Sequence, residues 1–358
     1  MGIAYSPPEV GAAAGAARRA PAWGERIDMS HGAGGKASRR LVEGLIAPAF
    51  ANPVLQQLSD AAVFSFAGTR VATSADGYVV RPLRFPGGSI GELAVNGTVN
   101  DLAVSGARAR ALLATFILEE GLPTETLRLE VEAMAEAAKR AGVSIVGGDT
   151  KVVEHGHCDG MYVTTFGLGE VDGRAALDPK SVRPGDCVLL SGPIGDHGIT
   201  ILLERGELEL ETELRSDTRS VWPFVDALLD ACGSEVRWMR DPTRGGVATA
   251  LNELARDARV AVALREGDVP LRSQVRGACE LLGLDPLHIA NEGQFLAIVA
   301  PQAAERALAA IRAVPGGEDA ASIGEIRAAP ARTVLGVTSY GGTRAIDMLV
   351  GDPLPRIC

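Results

Sequence analysis

The chain has 358 residues, 35 Lys and Arg against 45 Asp and Glu, and a formal net charge of −10. At roughly 150 residues per domain, that length predicts two domains, each able to bury its own core. An acidic chain with 46% hydrophobic and 4% aromatic residues excludes a disordered polymer and a Lys/Arg-built nucleic-acid grip, and no apolar run nears the ~18 residues of a membrane span.

Residues 1–25 read as a weakly ordered, Ala-rich leader. An acidic residue comes early and the Arg pair late, the reverse of a secretory signal. The five cysteines (Cys158, Cys187, Cys232, Cys279, Cys358) form no CxxC pair and are odd in number. That argues against a disulfide framework or structural zinc and for a reduced, cytoplasmic protein.

Residues 26–54 combine a glycine-rich loop, Met29-Ser30-His31-Gly32-Ala33-Gly34-Gly35-Lys36, with a helix carrying Leu41, Leu45 and Ile46 at helical spacing. Ser30 and Ala37 stand where a Walker A motif needs Gly and Ser/Thr, so this is not a P-loop. A flexible linker and a lid over phosphates, with Lys36 and His31 on it, both fit the residues.

An α/β domain is expected over 55–175. Its predicted strands are Ala61–Ala67, Arg70–Ser74, Ala111–Ile117, Ser144–Gly147 and Met161–Leu168. Its predicted helices are Ser89–Ser105 and Glu125–Ala141, the latter N-capped by Thr124 and stopped by Gly142. The turn chemistry of Lys180–Asp186 marks the boundary to a second α/β domain over 176–338. That domain starts with the apolar run Cys187–Leu190, and helices at Ile199–Arg205 and Gly246–Ala258 and the strand Phe295–Val299 are predicted. Residues 339–358, with glycines and then spaced prolines, read as a flexible tail.

Asp60, Asp76, Asp101, Asp149 and Asp241 lie in glycine- or polar-flanked contexts beside apolar segments, as if at strand ends and helix starts. Each alone is as readily a turn former or a cap. Together, oxygen-only ligands at the edge of a core point to Mg²⁺, which keeps substrate phosphates among its ligands and so points to a nucleotide. Lys151 after Gly147-Gly148-Asp149-Thr150 is a candidate phosphate partner or base, and Glu292 before an apolar strand a candidate general base. Arg244-Gly245-Gly246 opens a helix, where free N–H groups favour an anion. Cys358 is the last residue; from Gly341 the extended chain reaches on the order of 55–60 Å, enough to carry a thiol-bound acyl-type group between sites.

In order, HGAGGK, LSDAAV, ADGYVV, NGTVNDLAVSGA, VGGDTKVV, DPTRGGVATALNELA and NEGQ resemble the ATP-binding synthetases related to aminoimidazole ribonucleotide synthetase, selenophosphate synthetase and thiamine-monophosphate kinase. The ending Pro355-Arg356-Ile357-Cys358 resembles one branch, the HypE family of hydrogenase maturation proteins. The resemblance spans all but about the first 25 residues.

It implies a two-domain α/β (α+β) synthetase-like fold whose N-terminal sheets pair into a β-barrel across a homodimer. It implies ATP and Mg²⁺ as cofactors, the carbamoyltransferase HypF and the HypC–HypD complex as partners, and neither nucleic acid nor membrane. By the same resemblance Cys358 carries a carbamoyl group that ATP-dependent dehydration converts to thiocyanate, supplying cyanide ligands for [NiFe] hydrogenase iron. Lys151 and Glu292 are then its catalytic residues. Asp60, Asp76, Asn96, Asp101, Asp149, Lys36, Gly34 and Gly35 would bind ATP, and Asp60, Asp76, Asp101, Asp149 and Asp241 the metal. A superfamily kinase acting on a free small molecule leaves Cys358 without a purpose, and selenophosphate synthesis would place a reactive Cys within His31–Lys36, which has none. A non-catalytic ATP-binding scaffold is the remaining alternative.

Overall fold

The structure is a computed structural model; it describes residues 26–358 apart from 209–211, 339, 352, 353 and 355, so the expected leader lies outside the described residues. After the glycine-rich loop, α1 (Lys36–Leu41), a π-helical turn (Val42–Ile46) and α2 (Ala47–Ala49) form one irregular helix. The predicted apolar stripe is real in sequence but open in space, since Leu45 and Ile46 remain exposed.

The first sheet contains β1 (Ala62–Phe66) and β2 (Thr69–Tyr78). A small ribbon follows, of β3 (Arg84–Phe85) and β4 (Gly88–Ser89). Then come α3 (Ile90–Val104), β5 (Ala107–Glu119), α4 (Thr124–Ala141), β6 (Ser144–Val153) and β7 (Met161–Val171). The sheet order is β1-β2-β7-β5-β6, open at both edges, with only the β5/β6 pair parallel. No closed barrel exists within this chain among the described residues.

Strand alternation decides which face is dry. Along β7, Met161, Val163, Thr165, Gly167, Gly169 and Val171 are buried beneath α3, while Phe166 and Leu168 look outward and stay exposed. Ser89 caps α3 by accepting from Glu92 N, and thirteen of that helix's fifteen residues are buried. Such a helix needs partners on every side, and it has them: α4 on one flank, the sheet on another, and α6 (Trp222–Cys232) of the second domain.

The second domain contains β8 (Cys187–Leu190), α5 (Asp196–Glu204), α6, β9 (Val236–Arg240), α7 (Gly246–Asp257), β10 (Ala261–Arg265) and α8 (Ser273–Leu282). It continues with β11 (Leu296–Val299), α9 (Ala304–Arg312), β12 (Ala321–Arg327), β13 (Thr333–Val337) and β14 (Thr343–Ile346). Its seven-stranded mixed sheet runs β14-β13-β10-β12-β8-β11-β9. The central strands β8 and β11 are nearly all apolar and buried, as expected where both faces are covered. Among the described residues, no helix is long and apolar enough to cross a membrane.

Three local expectations are corrected. β2 does not end at Ser74 but runs to Tyr78, with Asp76 paired to Thr165, so Asp76-Gly77 is strand and not turn. β6 likewise continues past Gly147 through Asp149 and Lys151, in register with Thr115 and Ile117. Ladder hydrogen bonds to a neighbouring strand outweigh the turn preference of Asp-Gly and Gly-Gly. Finally, α4 begins at Thr124 with Pro123 at the cap position, while Gly142 ends it in the left-handed region as predicted.

Candidate active site

The site lies where the two domains meet, and α3 builds its floor. One helical turn separates Asn96 from Asn100 and Gly97 from Asp101, so each pair shares a face. Asp101 lies in the last turn of α3, inside the predicted helix Ser89–Ser105 and not at a helix start. Ser74 on β2 donates to its Oδ2 at 2.5 Å and also reaches the Asp60 carbonyl. A Cβ at Gly97 would sit 2.3 Å from the Tyr78 hydroxyl, so only glycine lets β2 lie this close to the helix.

Asp60, just before β1, pairs with Arg240 at 2.9 Å, and Arg240 also holds Glu253 at 3.0 Å. Asp241, the next residue, is buried. Asp60, Asp101 and Asp241 bring one carboxylate oxygen each within 4.8 Å of one another. Burial raises the Asp60 carboxyl to about 6 despite Arg240. It lifts Asp101 and Asp241 well above the usual carboxylate range, with the neighbouring acids adding to the effect. Three all-oxygen donors whose mutual repulsion is not balanced by Arg240 alone fit a hard divalent cation such as Mg²⁺.

Asp76 is close enough to raise its neighbours electrostatically and accepts from Thr98 at 3.3 Å. A cavity of about 50 Å³ is lined by Asp76, Asp101, Asp241, Arg244, Glu292 and Cys358. Asp60 also lines a much larger cleft of about 970 Å³, bordered by Arg39, Phe64, Arg70, Trp238 and Arg256.

Glu292 is 3% exposed, on the loop that leads into β11. Its backbone is fixed from several sides. Asp217 accepts from Glu292 N at 3.0 Å and Gly293 N at 3.1 Å, and Asn100 donates to the Glu292 carbonyl. Burial pushes the Glu292 carboxyl well up, with Asp217 and Asp241 adding to it, while a hydrogen bond with the Cys358 thiol and the charge of Arg244 act the other way.

The tail, expected as a flexible segment, is seated here. After β14, Leu354 and Ile357 are buried, because an apolar pair left in water would forfeit about 1.5–3 kcal/mol per side chain. Cys358 thereby arrives beside Glu292. The glycine-rich loop packs on the same tail. Lys36 N donates to Leu349 O at 2.8 Å, Lys36 Nζ pairs with Asp347, and a Cβ at Gly35 would lie 2.3 Å from Leu349 O. Gly34 abuts Arg244, which donates to the Gly32 carbonyl.

Of the predicted residues, the fold brings together Asp60, Asp76, Asp101, Asp241, Glu292 and Cys358, with Gly34, Gly35 and Lys36 at the tail, while Asn96 is buried on α3 without lining the cavity. Asp149 and Lys151 stand apart on exposed edge strand β6, paired with each other at 2.7 Å. The sequence reading missed Asn100, Asp217 and His197, which anchor the Glu292 loop and the tail. Asn100 was legible as the polar residue beside Asp101 on a predicted helix; no local pattern marks the other two.

Two family models match most of the chain: AIR synthase related protein, N-terminal domain, over residues 58–171, and its C-terminal domain over 183–336. The carbamoyl dehydratase HypE of Rhizobium leguminosarum bv. viciae is 48% identical over 333 residues, covering 93% of this chain and 95% of that protein. A crystal structure of HypE in complex with ATP is 46% identical with a TM-score of 0.78, covering 92% of this chain and 99% of its own. HypE in a crystallised HypE–HypF complex is 42% identical with a TM-score of 0.82, covering 86% of this chain and 99% of its own. With relatives this similar aligned along nearly their whole length, the chain belongs to the HypE family of carbamoyl dehydratases, within the AIR synthase related proteins.

Proposed function

We propose that this chain uses ATP to dehydrate a carbamoyl group carried on Cys358, giving a thiocyanate whose cyano group is destined for hydrogenase iron. The observation that carries the reading is the juxtaposition of the Cys358 thiol, the buried Glu292 carboxyl, Asp101 and Asp241 around one small cavity, with Asp60 completing the acidic triad from the adjoining large cleft.

When bound, Mg·ATP supplies the phosphoryl group that makes the carbamoyl oxygen a leaving group, and the cation offsets the charge of the phosphates. The chain's own residues do the rest. The Asp triad would hold the cation, with Asp76 beside it, and the 970 Å³ cleft beside Asp60 is large enough for a nucleotide. Glu292 accepts one proton of the carbamoyl nitrogen, the departing phosphate takes the other as the C–O bond breaks, and the raised proton affinity of Glu292 makes it a stronger base than an exposed carboxylate. The buried tail and the Gly34–Lys36 loop limit entry of water, which would hydrolyse an activated carbamoyl group.

Asp149 and Lys151 enter this scheme through a homodimer whose paired N-terminal sheets close a barrel. The bare sheet face supports that assembly: Phe66, Val146 and Val152 are each about two-thirds exposed, and β6 is a ten-residue edge strand. Val146→Glu is expected to weaken dimerisation by about two orders of magnitude, since it buries an unpaired carboxylate, and light scattering across a dilution series reads this directly. The carbamoyl donor is the carbamoyltransferase HypF and the acceptor the HypC–HypD complex. The crystallised HypE–HypF relative supports the first assignment.

Cys358→Ala tests the reading against a small-molecule kinase or a passive scaffold. ATP turnover stimulated by the carbamoyltransferase and carbamoyl phosphate is expected to vanish in the variant. Stimulated turnover that persists without the thiol would contradict the proposal.

A further inference from the structure

His197, the second residue of α5, is fully buried, with its ring edge-on to Phe85 at a centroid distance of 5.5 Å. Its Nε2 lies 2.7 Å from the Ile357 carbonyl oxygen, and its Nδ1 lies 2.8 Å from Ser216 Oγ. A carbonyl only accepts, so Nε2 carries the proton. Burial pushes the ring down to about 4, so it is neutral at physiological pH and Nδ1 must accept from the Ser216 hydroxyl. Ser216 Oγ in turn receives Thr218 N at 3.1 Å and lies 2.6 Å from Thr218 Oγ1. Every proton in the chain Thr218–Ser216–His197–Ile357 is therefore assigned by its neighbours.

We propose that His197, locked in one tautomer by Ser216, is a positioning residue that grips the Ile357 carbonyl and thereby seats Cys358 beside Glu292. The inference rests on Cys358 being the carrier thiol. The adjacent carbonyl, that of Arg356, is held in the same manner by Arg81 N at 3.3 Å and by the Arg205 guanidinium. Below them Leu354 packs over Gly198, where a Cβ would come within 3.2 Å of its Cδ1. The seat thus reads main-chain carbonyls and a buried leucine, while the sulfur meets Glu292. Its grip is the same whether the thiol is free, carbamoylated or cyanated, which is what a carrier that changes cargo in place requires.

Alkylation of the full-length homodimer by iodoacetamide, followed residue by residue by mass spectrometry, tests this without any carbamoyl group. His197→Leu is expected to alkylate Cys358 about tenfold faster than the parent, the scale of one lost buried hydrogen bond. Buried Cys232 and Cys279 are expected to stay protected. His197→Gln, whose amide nitrogen can take the place of Nε2, is expected within about twofold of the parent, and Ser216→Ala about threefold above it. If the leucine variant does not fold, the glutamine and Ser216→Ala pair decides. Parent-like labelling of Cys358 in Ser216→Ala or in folded His197→Leu would overturn the proposal, as would equal exposure of all three cysteines. Because the readout needs no carbamoyl chemistry, its failure is distinguishable from failure of the dehydratase reading.

Discussion

Glu292→Gln lowers the rate of ATP-dependent dehydration at Cys358 by about 10²–10⁴-fold, the range expected when a general base is removed from a prepared site. Glutamine keeps the shape of the side chain, and the loop is held by backbone contacts to Asp217 and Asn100 that the substitution does not touch. Loading of the carbamoyl group onto Cys358 is therefore expected to survive while its dehydration fails. The pH dependence separates a base from a structural residue. Burial holds the Glu292 proton well above the ordinary glutamate value, so the basic form grows as pH rises through that raised pKa. The parent rate climbs with pH over this limb, and Glu292→Gln removes the limb. Single-turnover mass analysis of pre-carbamoylated protein across pH checks both; an unchanged rate and profile in the variant would remove Glu292 from the chemistry.

Asp101→Asn is expected to have opposite effects on activity and stability. Asp101 and Asp241 hold their protons above the unfolded-chain value, and Asp60 does so up to about 6. The folded chain therefore binds more protons than the unfolded one between about pH 4 and these raised values, and stability falls as pH rises through that window. A divalent cation reverses the loss where the acids are ionised, so Mg²⁺ raises the parent's melting temperature at about pH 8 and scarcely at about pH 5. Removing one of the three acids relieves the repulsion. The metal-free variant is expected to melt about 2–4 °C above the parent at about pH 8, for a gain of about 1 kcal/mol. Its Mg²⁺-dependent increment disappears, and ATP-driven dehydration falls by about 10²-fold or more. Scanning calorimetry with and without Mg²⁺ reads the stability terms; a metal-free Asp101→Asn that melts below the parent at both pH values would contradict the assignment of a charge-strained triad.

The legible part of the architecture was the part dictated by local periodicity. The helix Ser89–Ser105 was placed within a residue at each end, because Ser89 supplies the cap oxygen and Ser105 follows the last buried turn. The apolar run Cys187–Leu190, legible as the start of the second α/β block, is a strand, since a short apolar run bounded by turn residues is what a doubly covered strand requires. Asp76 and Asp149 were placed at strand ends but lie within β2 and β6, because sheet pairing with Thr165 and Thr115 is long-range and leaves no trace beside them in sequence.

In the site, Asp60, Asp101 and Asp241 were identified as acids at core edges, yet their convergence is a property of domain packing. The most instructive case is the tail. Glycines and prolines predict an extended, mobile chain, whereas Leu354 and Ile357 supply apolar anchors and His197 and Arg205 wait for its carbonyls. Those two receptors lie some 150 residues upstream, on α5 and at its C-cap, beyond the reach of any local motif.

The account stands most directly on the fate of the terminal thiol. The deciding measurement is the mass of the C-terminal peptide after incubation of the full-length protein with the carbamoyltransferase, carbamoyl phosphate and Mg·ATP. The account predicts a carbamoyl adduct on Cys358 that loses one water only when hydrolysable ATP is present. A peptide that stays unmodified with an active transferase, or an adduct that persists intact while ATP is consumed, would contradict it.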